Sequence, residues 1–369
     1  MSAPRPKVLF AFDQAVRDSF LDPVQLQRLE RFADWSWLSC SGGGRTYFRA
    51  QDDAATSDQL RATIGDYDAL VVCHGAPLID ASILDAAPKL RLIGELEGDR
   101  FAGRIDLDAA WERGIRTVDV TNGSSYPVSE WALGLILLSM RNAGELYRRL
   151  IAGQPARDRE TMAKMRGRLT GKRVGLIGCG HMGRRLLELL RPFEVEAWVY
   201  DPYLPRELAE ALGFTQTSLD NVLAQCDVVV CLAPLTPRTQ GMIGERELNL
   251  IPSGAVFINV SRGAIVDSAA LITRLERGDI IAGLDVFDPE PIPPTSAILQ
   301  LPNVFLSPHI GGYAGGAYQP FLPLMVDELA RFFQGHETHF DLTPRSQANR
   351  TGARCSRSGA GSITANHAD

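Results

Sequence analysis

Apolar residues along this chain fall into two alternating rhythms. Short unbroken apolar runs bounded by turn residues read as buried strands, and apolar residues three and four apart read as helices. In the first third, Lys7 to Phe12, Ala69 to Cys73, Leu90 to Gly94 and Ile115 to Val120 are runs of the first kind. Pro23 to Phe32, Leu78 to Ala87 and Leu107 to Arg113 have the helical spacing. The alternation resumes at Gly171. Val174 to Ile177, Val195 to Tyr200, Asp227 to Leu232, Ala255 to Val260, Ile280 to Val286 and Val304 to Leu306 predict strands. Arg184 to Leu190, Arg206 to Leu212, Ser268 to Arg277 and Pro323 to Phe333 predict helices. Strands that alternate with helices imply parallel α/β sheets. Between the two stretches, Val128 to Met140 is too apolar for a surface helix and predicts one buried between two domains. Glu145 to Arg168 is polar and predicts a helix and linker, with a subunit contact as a further use. From Pro344 the chain is almost free of apolar residues and predicts a disordered tail.

Composition changes this picture little. A length of 369 residues makes two domains the natural division, and 45% hydrophobic content suffices for real cores. A net charge of −6 gives no global reason to expect nucleic acid as a partner. The six cysteines, Cys40, Cys73, Cys179, Cys226, Cys231 and Cys355, have no metal-binding spacing and read as reduced thiols, several within apolar runs. The first apolar run is too short for a signal peptide, and Trp131 to Leu138 is too short to span a bilayer. A cytoplasmic protein without membrane, metal or nucleic-acid partner is expected.

The stretch from Gly171 to Asp201 carries the first candidate chemistry. Gly178, Gly180 and Gly183 form a G-x-G-x-x-G between a strand and a helix, and Asp201 closes the next strand. The bare pattern is a weak signal; with this context it is the layout of a dinucleotide-binding β-α-β unit. Gly178 allows a tight turn, Gly180 lets the backbone approach a pyrophosphate, and Gly183 lets helix and strand pack closely. The helix N-terminus favours the anion. Asp201 is placed to accept hydrogen bonds from the ribose, and its charge repels a 2′-phosphate, so the cofactor expected is NAD.

Three polar residues follow strands further on: Arg262, Glu290 and His309. Ligands of open parallel sheets bind outside the carboxyl ends of the strands. An arginine there can hold a substrate carboxylate and polarise a carbonyl, a histidine can exchange a proton with an alkoxide, and a carboxylate can hold the imidazolium. Beside a nicotinamide, these types suit hydride transfer on a 2-oxo or 2-hydroxy acid.

The surrounding residues resemble a known family. Asn259 to Asp267, Gly283 to Phe287 with Glu290-Pro291, Ser307 to Gly312, Ala233 to Thr239 and Ser129 to Leu133 are similar to signatures of the D-isomer specific 2-hydroxyacid dehydrogenases. The resemblance runs from about Asp68 to Gly335. It implies an α/β fold with a Rossmann coenzyme domain, residues 123–312, inserted into a smaller flavodoxin-like substrate domain, residues 1–122 plus 313–336, with residues 337–369 left as tail. It implies that Arg262, Glu290 and His309 are the catalytic arginine, acid and histidine. His181, Met182, Asp201, Ala233, Val260, Ser261, Asp285 and Gly311 match positions lining NAD, with Asp285 near the nicotinamide carboxamide. A homodimer is implied, with the region after the interdomain helix in the interface. Hinges are expected near Asn122 and Gly312.

The chain departs from the family pattern around its substrate loop. Glu95 to Asp106 is longer and more charged than usual, Pro77 replaces a small polar residue, and a tryptophan often found before Gly171 is missing. Arg100 and Arg104 are placed to meet an extra anionic group of a substrate, or to form ordinary salt bridges. The function expected is NAD-dependent hydride transfer at C2 of a D-2-hydroxy acid. An NAD(H)-sensing, corepressor-like binding protein on the same fold is the alternative. The length left over is expected to hold no further regulatory domain.

Overall fold

The computed structural model describes residues 4–41, 53–98, 103–313, 315 and 319–351. Among the described residues, twelve strands form two sheets. The first five are β1 (Lys7–Phe12), β2 (Asp34–Ser39), β3 (Ala69–Val72), β4 (Leu92–Glu95) and β5 (Arg116–Asp119). The remaining seven are β6 (Arg173–Ile177), β7 (Glu196–Tyr200), β8 (Thr215–Gln216), β9 (Val228–Cys231), β10 (Val256–Asn259), β11 (Ile281–Leu284) and β12 (Val304–Leu306). Every pairing within each sheet is parallel. The central strands are buried on both faces, as parallel sheets flanked by helices require.

The first sheet has the order β2-β1-β3-β4-β5, the doubly wound order of flavodoxin-like folds. The second has the order β12-β11-β10-β9-β6-β7-β8, with the Rossmann reversal between β6 and β9. Helix Phe321–Phe333 returns to the first sheet. Phe321, Leu322, Met325, Val326 and Leu329 share one core with Val8, Phe10 and Val71. A Cβ on Gly94 would lie 2.5 Å from the tip of the Met325 side chain, so this helix packs directly over the β4 backbone.

The chain passes from β5 through a 3-10 turn, Thr121–Ser124, into helix Ser125–Met140. Val128, Ala132, Leu135, Ile136 and Met140 pack into the core of the seven-stranded sheet. A Cβ on Gly312 would stand 4.0 Å from Ser124, so the outgoing and returning segments pass side by side.

Several expected ends shift for local reasons. The helix expected over Leu78 to Ala87 is Ala81–Asp85, because Asp80 caps it, accepting from the Ile83 N–H at 3.0 Å, while Ile79 bridges to Ile105. Strands β2 and β8, and helices Gln14–Phe20, Ala54–Thr63, Leu219–Gln225 and Glu245–Leu250, lie outside the expected elements. The expected tail also differs in its first half. Glu328 accepts backbone hydrogen bonds from His339 and Phe340, Leu342 is buried, Asp341 bridges antiparallel to Val118, and a helix spans Pro344–Thr351. A few apolar residues and one buried carboxylate suffice to anchor this segment; the rest of the tail lies outside the described residues.

Candidate active site

The glycine loop sits at the reversal of the seven-stranded sheet. Gly178 has φ +92°, and a Cβ there would come within 2.9 Å of the Ala233 backbone. A side chain is excluded by both the turn and the neighbouring loop. A Cβ on Gly183 would meet the Gly178 carbonyl oxygen at 2.9 Å, so that glycine fixes helix against strand. A Cβ on Gly180 would meet nothing within 4 Å. Its bareness leaves room above the loop, which fits a pyrophosphate. Helix His181–Leu190 starts there with no side-chain cap, presenting its N-terminus to that room.

Asp201, at the end of β7, braces this loop. It accepts from the Cys179 N–H at 2.9 Å and the Tyr203 N–H at 3.0 Å. The Met182 carbonyl accepts from Ser129 Oγ at 3.0 Å, tying the glycine loop to the interdomain helix. His181 is exposed and its ring lies 5.9 Å from that of Phe340, which comes from the C-terminal segment. Ala233 and Ser261 join the ends of the neighbouring strands β9 and β10 through a hydrogen bond from Ser261 Oγ to the Ala233 carbonyl, and Val260 is buried beside them. These residues fit a dinucleotide.

Arg262 follows β10 through a tight turn. Asn259 Oδ1 accepts from the Ser261 N–H at 3.1 Å, an Asx turn, while Asn259 Nδ2 donates to the Arg262 carbonyl at 3.2 Å. Arg262 Nη1 donates to the Ser261 carbonyl at 2.7 Å. Gly263 lies so close to the next loop that a Cβ would fall 1.9 Å from the Phe287 carbonyl carbon. The Arg262 loop and the loop leading to Glu290 are therefore packed backbone to backbone.

His309 and Glu290 meet: His309 Nδ1 and Glu290 Oε1 are 2.7 Å apart, with His309 half-buried and Glu290 exposed. A carboxylate only accepts, so Nδ1 carries the proton and donates, which leaves Nε2 as the atom able to exchange one with a ligand. His309 has φ +54°, the left-handed region. Its two successors hold it there: the N–H groups of Ile310 and Gly311 donate to Asp285 at 3.0 and 2.8 Å. Ser307 Oγ and Trp131 Nε1 donate to the same carboxylate at 2.5 and 3.2 Å. Asp285 is 2% exposed, with four protein donors on it. These donors hold the His309 segment in place. Gly311 has no room for a side chain, since a Cβ would lie 2.9 Å from Asp285 Oδ2.

Trp131, Asn259 and Ser307 were not singled out by type or spacing. An Asn two residues before a strand-end serine is a local signal for the Asx turn; the Trp131 and Ser307 contacts join distant segments and leave no local signal. Of the two uses expected for Arg104, an anion contact or a salt bridge, the second is found: it is 1% exposed and ion-paired with Glu95, which is 0% exposed. Arg100 lies outside the described residues. Among the described residues, no cluster of three or more potential metal ligands occurs, and no helix is long and apolar enough to cross a membrane.

A reversed parallel sheet with a glycine cradle at its switch point defines a dinucleotide-binding α/β protein. Residues 133–311 match the sequence model described as the D-isomer specific 2-hydroxyacid dehydrogenase, NAD binding domain. Glyoxylate reductase of Korarchaeum cryptofilum is 31% identical over 287 residues, covering 77% of this chain and 86% of that protein. The chain belongs to the D-isomer specific 2-hydroxyacid dehydrogenase family. D-3-phosphoglycerate dehydrogenase of Methanocaldococcus jannaschii is 32% identical over 282 residues, 76% of this chain and 52% of that one. The chain thus spans about half the length of the phosphoglycerate dehydrogenases it matches. The crystal structure of a phosphoglycerate oxidoreductase from Rhizobium etli shares the fold, with a TM-score of 0.76 at 22% identity, covering 92% of this chain and 98% of that one.

Proposed function

We propose that this chain is an NAD-dependent oxidoreductase acting at C2 of a D-2-hydroxy acid or its 2-oxo partner. The observation that carries this reading is the His309–Glu290 pair, 2.7 Å apart, at strand ends of the sheet that holds the glycine cradle. When bound, the nicotinamide supplies or accepts the hydride. Arg262 grips the substrate carboxylate and draws charge from the carbonyl oxygen. His309 Nε2 gives a proton to that oxygen as the alkoxide forms, or removes it in the reverse direction. Glu290 keeps Nδ1 protonated and steadies the imidazolium. Asp285 acts through the backbone of Ile310 and Gly311 and is a positioning residue. Asp201 favours NAD over NADP by charge.

The chain divides on this reading into a substrate domain, residues 1–122 and 313–336, and a coenzyme domain between them. Closure about Thr121–Ser124 and Gly312 would exclude water from the site. Tyr147, Leu150, Ile151 and Met162 are exposed apolar side chains following the interdomain helix, which supports a homodimer through that face. Among the described residues, five free, buried cysteines suit a reducing, cytoplasmic setting. The relatives carry the names of dehydrogenases and reductases and lend nothing to the sensor alternative.

NADH oxidation by the purified chain against glyoxylate, hydroxypyruvate, pyruvate, phenylpyruvate, 2-oxoglutarate and phosphohydroxypyruvate tests the proposal. Turnover of at least one, giving the D-hydroxy acid, is expected. Tight NADH binding without turnover of any would overturn it and favour the sensor.

A further inference from the structure

A cavity opens at the opposite edge of the seven-stranded sheet, where its strands begin. Lys172, Asp227 and Ala255 immediately precede β6, β9 and β10, three strands that lie side by side. All three residues line one cavity of about 270 Å³. At ~30 Å³ per water it has room for roughly nine waters, enough for a small organic molecule. The glycine loop and Arg262 follow the carboxyl ends of β6 and β10. The cavity is therefore separated from them by the length of the strands, roughly 15 Å.

Arg166 enters this cavity from the segment before β6. Its backbone N–H donates to the Met140 carbonyl at 2.7 Å and its Nη2 to the Asp279 carbonyl at 3.0 Å, which fixes the residue at both ends. Nε is buried without a hydrogen-bond partner. Among the described residues, no carboxylate forms an ion pair with this guanidinium. The Asp279 carboxylate pairs with Arg274 instead. Asp227 is taken by Lys172 Nζ at 3.1 Å and by the Arg173 N–H at 2.9 Å. Burial holds the Arg166 guanidinium below the usual arginine range, with the Asp279 charge opposing this. A half-buried cation with spare donors and no ion pair is short of an anion. Beside it, Met140, Cys226 and Pro252 give the cavity an apolar wall.

We propose that this cavity is a second ligand site, taking a small monocarboxylate with an apolar body. The carboxylate accepts from Arg166 and balances its charge, and the body lies against Met140, Cys226 and Pro252. A second anionic group is disfavoured, because Asp227 lines the same cavity. The inference goes beyond the dehydrogenase reading and does not depend on it.

The probe is benzoate, titrated calorimetrically into the native chain with NADH saturating the coenzyme cradle. Binding with a Kd of about 1 mM or tighter is expected. Benzamide, which has the same shape without the charge, should bind at least about tenfold more weakly. Arg166→Met should weaken benzoate at least about tenfold while NADH affinity, read by fluorescence, stays within about twofold of native. Arg262 is intact in that variant, so benzoate held at the substrate site would bind it as well as native. A further measurement needs no variant. Phenylglyoxal labelling of Arg166 in the native chain, read by peptide mass mapping, should fall at least about threefold when benzoate is present at about ten times its Kd. No benzoate binding below about 10 mM overturns the proposal. So does equal binding to the native chain and Arg166→Met, or binding that leaves Arg166 unprotected.

Discussion

Two imidazole–carboxylate pairs sit at strand ends of the two sheets, and they are wired in opposite senses. In His309–Glu290 the carboxylate occupies Nδ1, so Nε2 remains the outward nitrogen. In His74–Glu97 the carboxylate occupies Nε2, because Arg104 already donates to Nδ1. The first pair can move a proton; the second can only hold a charge in place. The partner on Nδ1 decides the use of each histidine. The supports differ as well. Backbone amides gathered on one buried aspartate hold the His309 segment, whereas a buried ion pair holds His74 and Glu97.

The largest expected effect breaks the second support. Arg104→Met removes the buried cation paired with Glu95 and is expected to cost about 3–5 kcal/mol in urea unfolding. Adding Glu95→Gln should restore at least half of that loss, while NADH affinity stays near native because the coenzyme cradle is untouched. A loss below about 1 kcal/mol would mean that the pair is not load-carrying in the sense of a buried charge.

Forcing apart the loops that carry Arg262 and Glu290 is expected to cost less stability and more catalysis. Gly263→Ala places a methyl 1.9 Å from the Phe287 carbonyl carbon, so the loops bearing Arg262 and Glu290 must separate. Overpacking of this kind costs about 1–3 kcal/mol. Turnover should fall at least about tenfold through displacement of the reacting groups. Native turnover in this variant would show that the two loops need not abut.

The smallest effect concerns the buried thiols of the seven-stranded sheet. Burial pushes Cys226 and Cys231 up to about 12, and burial with the nearby Asp201 charge does the same to Cys179. A raised value keeps the thiol protonated and unreactive as pH rises through 7 to 9. Iodoacetamide at about pH 8 should leave these three unlabelled in the folded chain by peptide mass mapping and label them in urea. Rapid labelling in the native state would show local opening there.

The same contrast governs what the sequence reveals. The central strands of both sheets were legible because burial on both faces writes an unbroken apolar run, as in β9 and β10. The half-exposed strand β2 and the two-residue strand β8 carry no such run. Helices such as Gln14–Phe20 and Leu219–Gln225 bury only two side chains each, so no apolar stripe stands out in them. Gly178, Gly183, His309 and Glu290 stand in dense local motifs, and their neighbours carry the resemblance. The link between His74 and Arg104 spans 30 residues and depends on a fold that brings two strand ends together. Asp285 shows the intermediate case: the motif marked its position, but only the four converging donors reveal what it holds.

The most direct test of the central claim is single-turnover reduction of a reactive 2-oxo acid by NADH in His309→Asn beside the native chain, with NADH affinity measured by fluorescence on the same samples. If His309 Nε2 transfers the proton, turnover falls by about 10²–10⁴ while NADH affinity stays within about threefold of native. Turnover within about tenfold of native, at unchanged NADH affinity, would remove His309 from the chemistry and contradict the account.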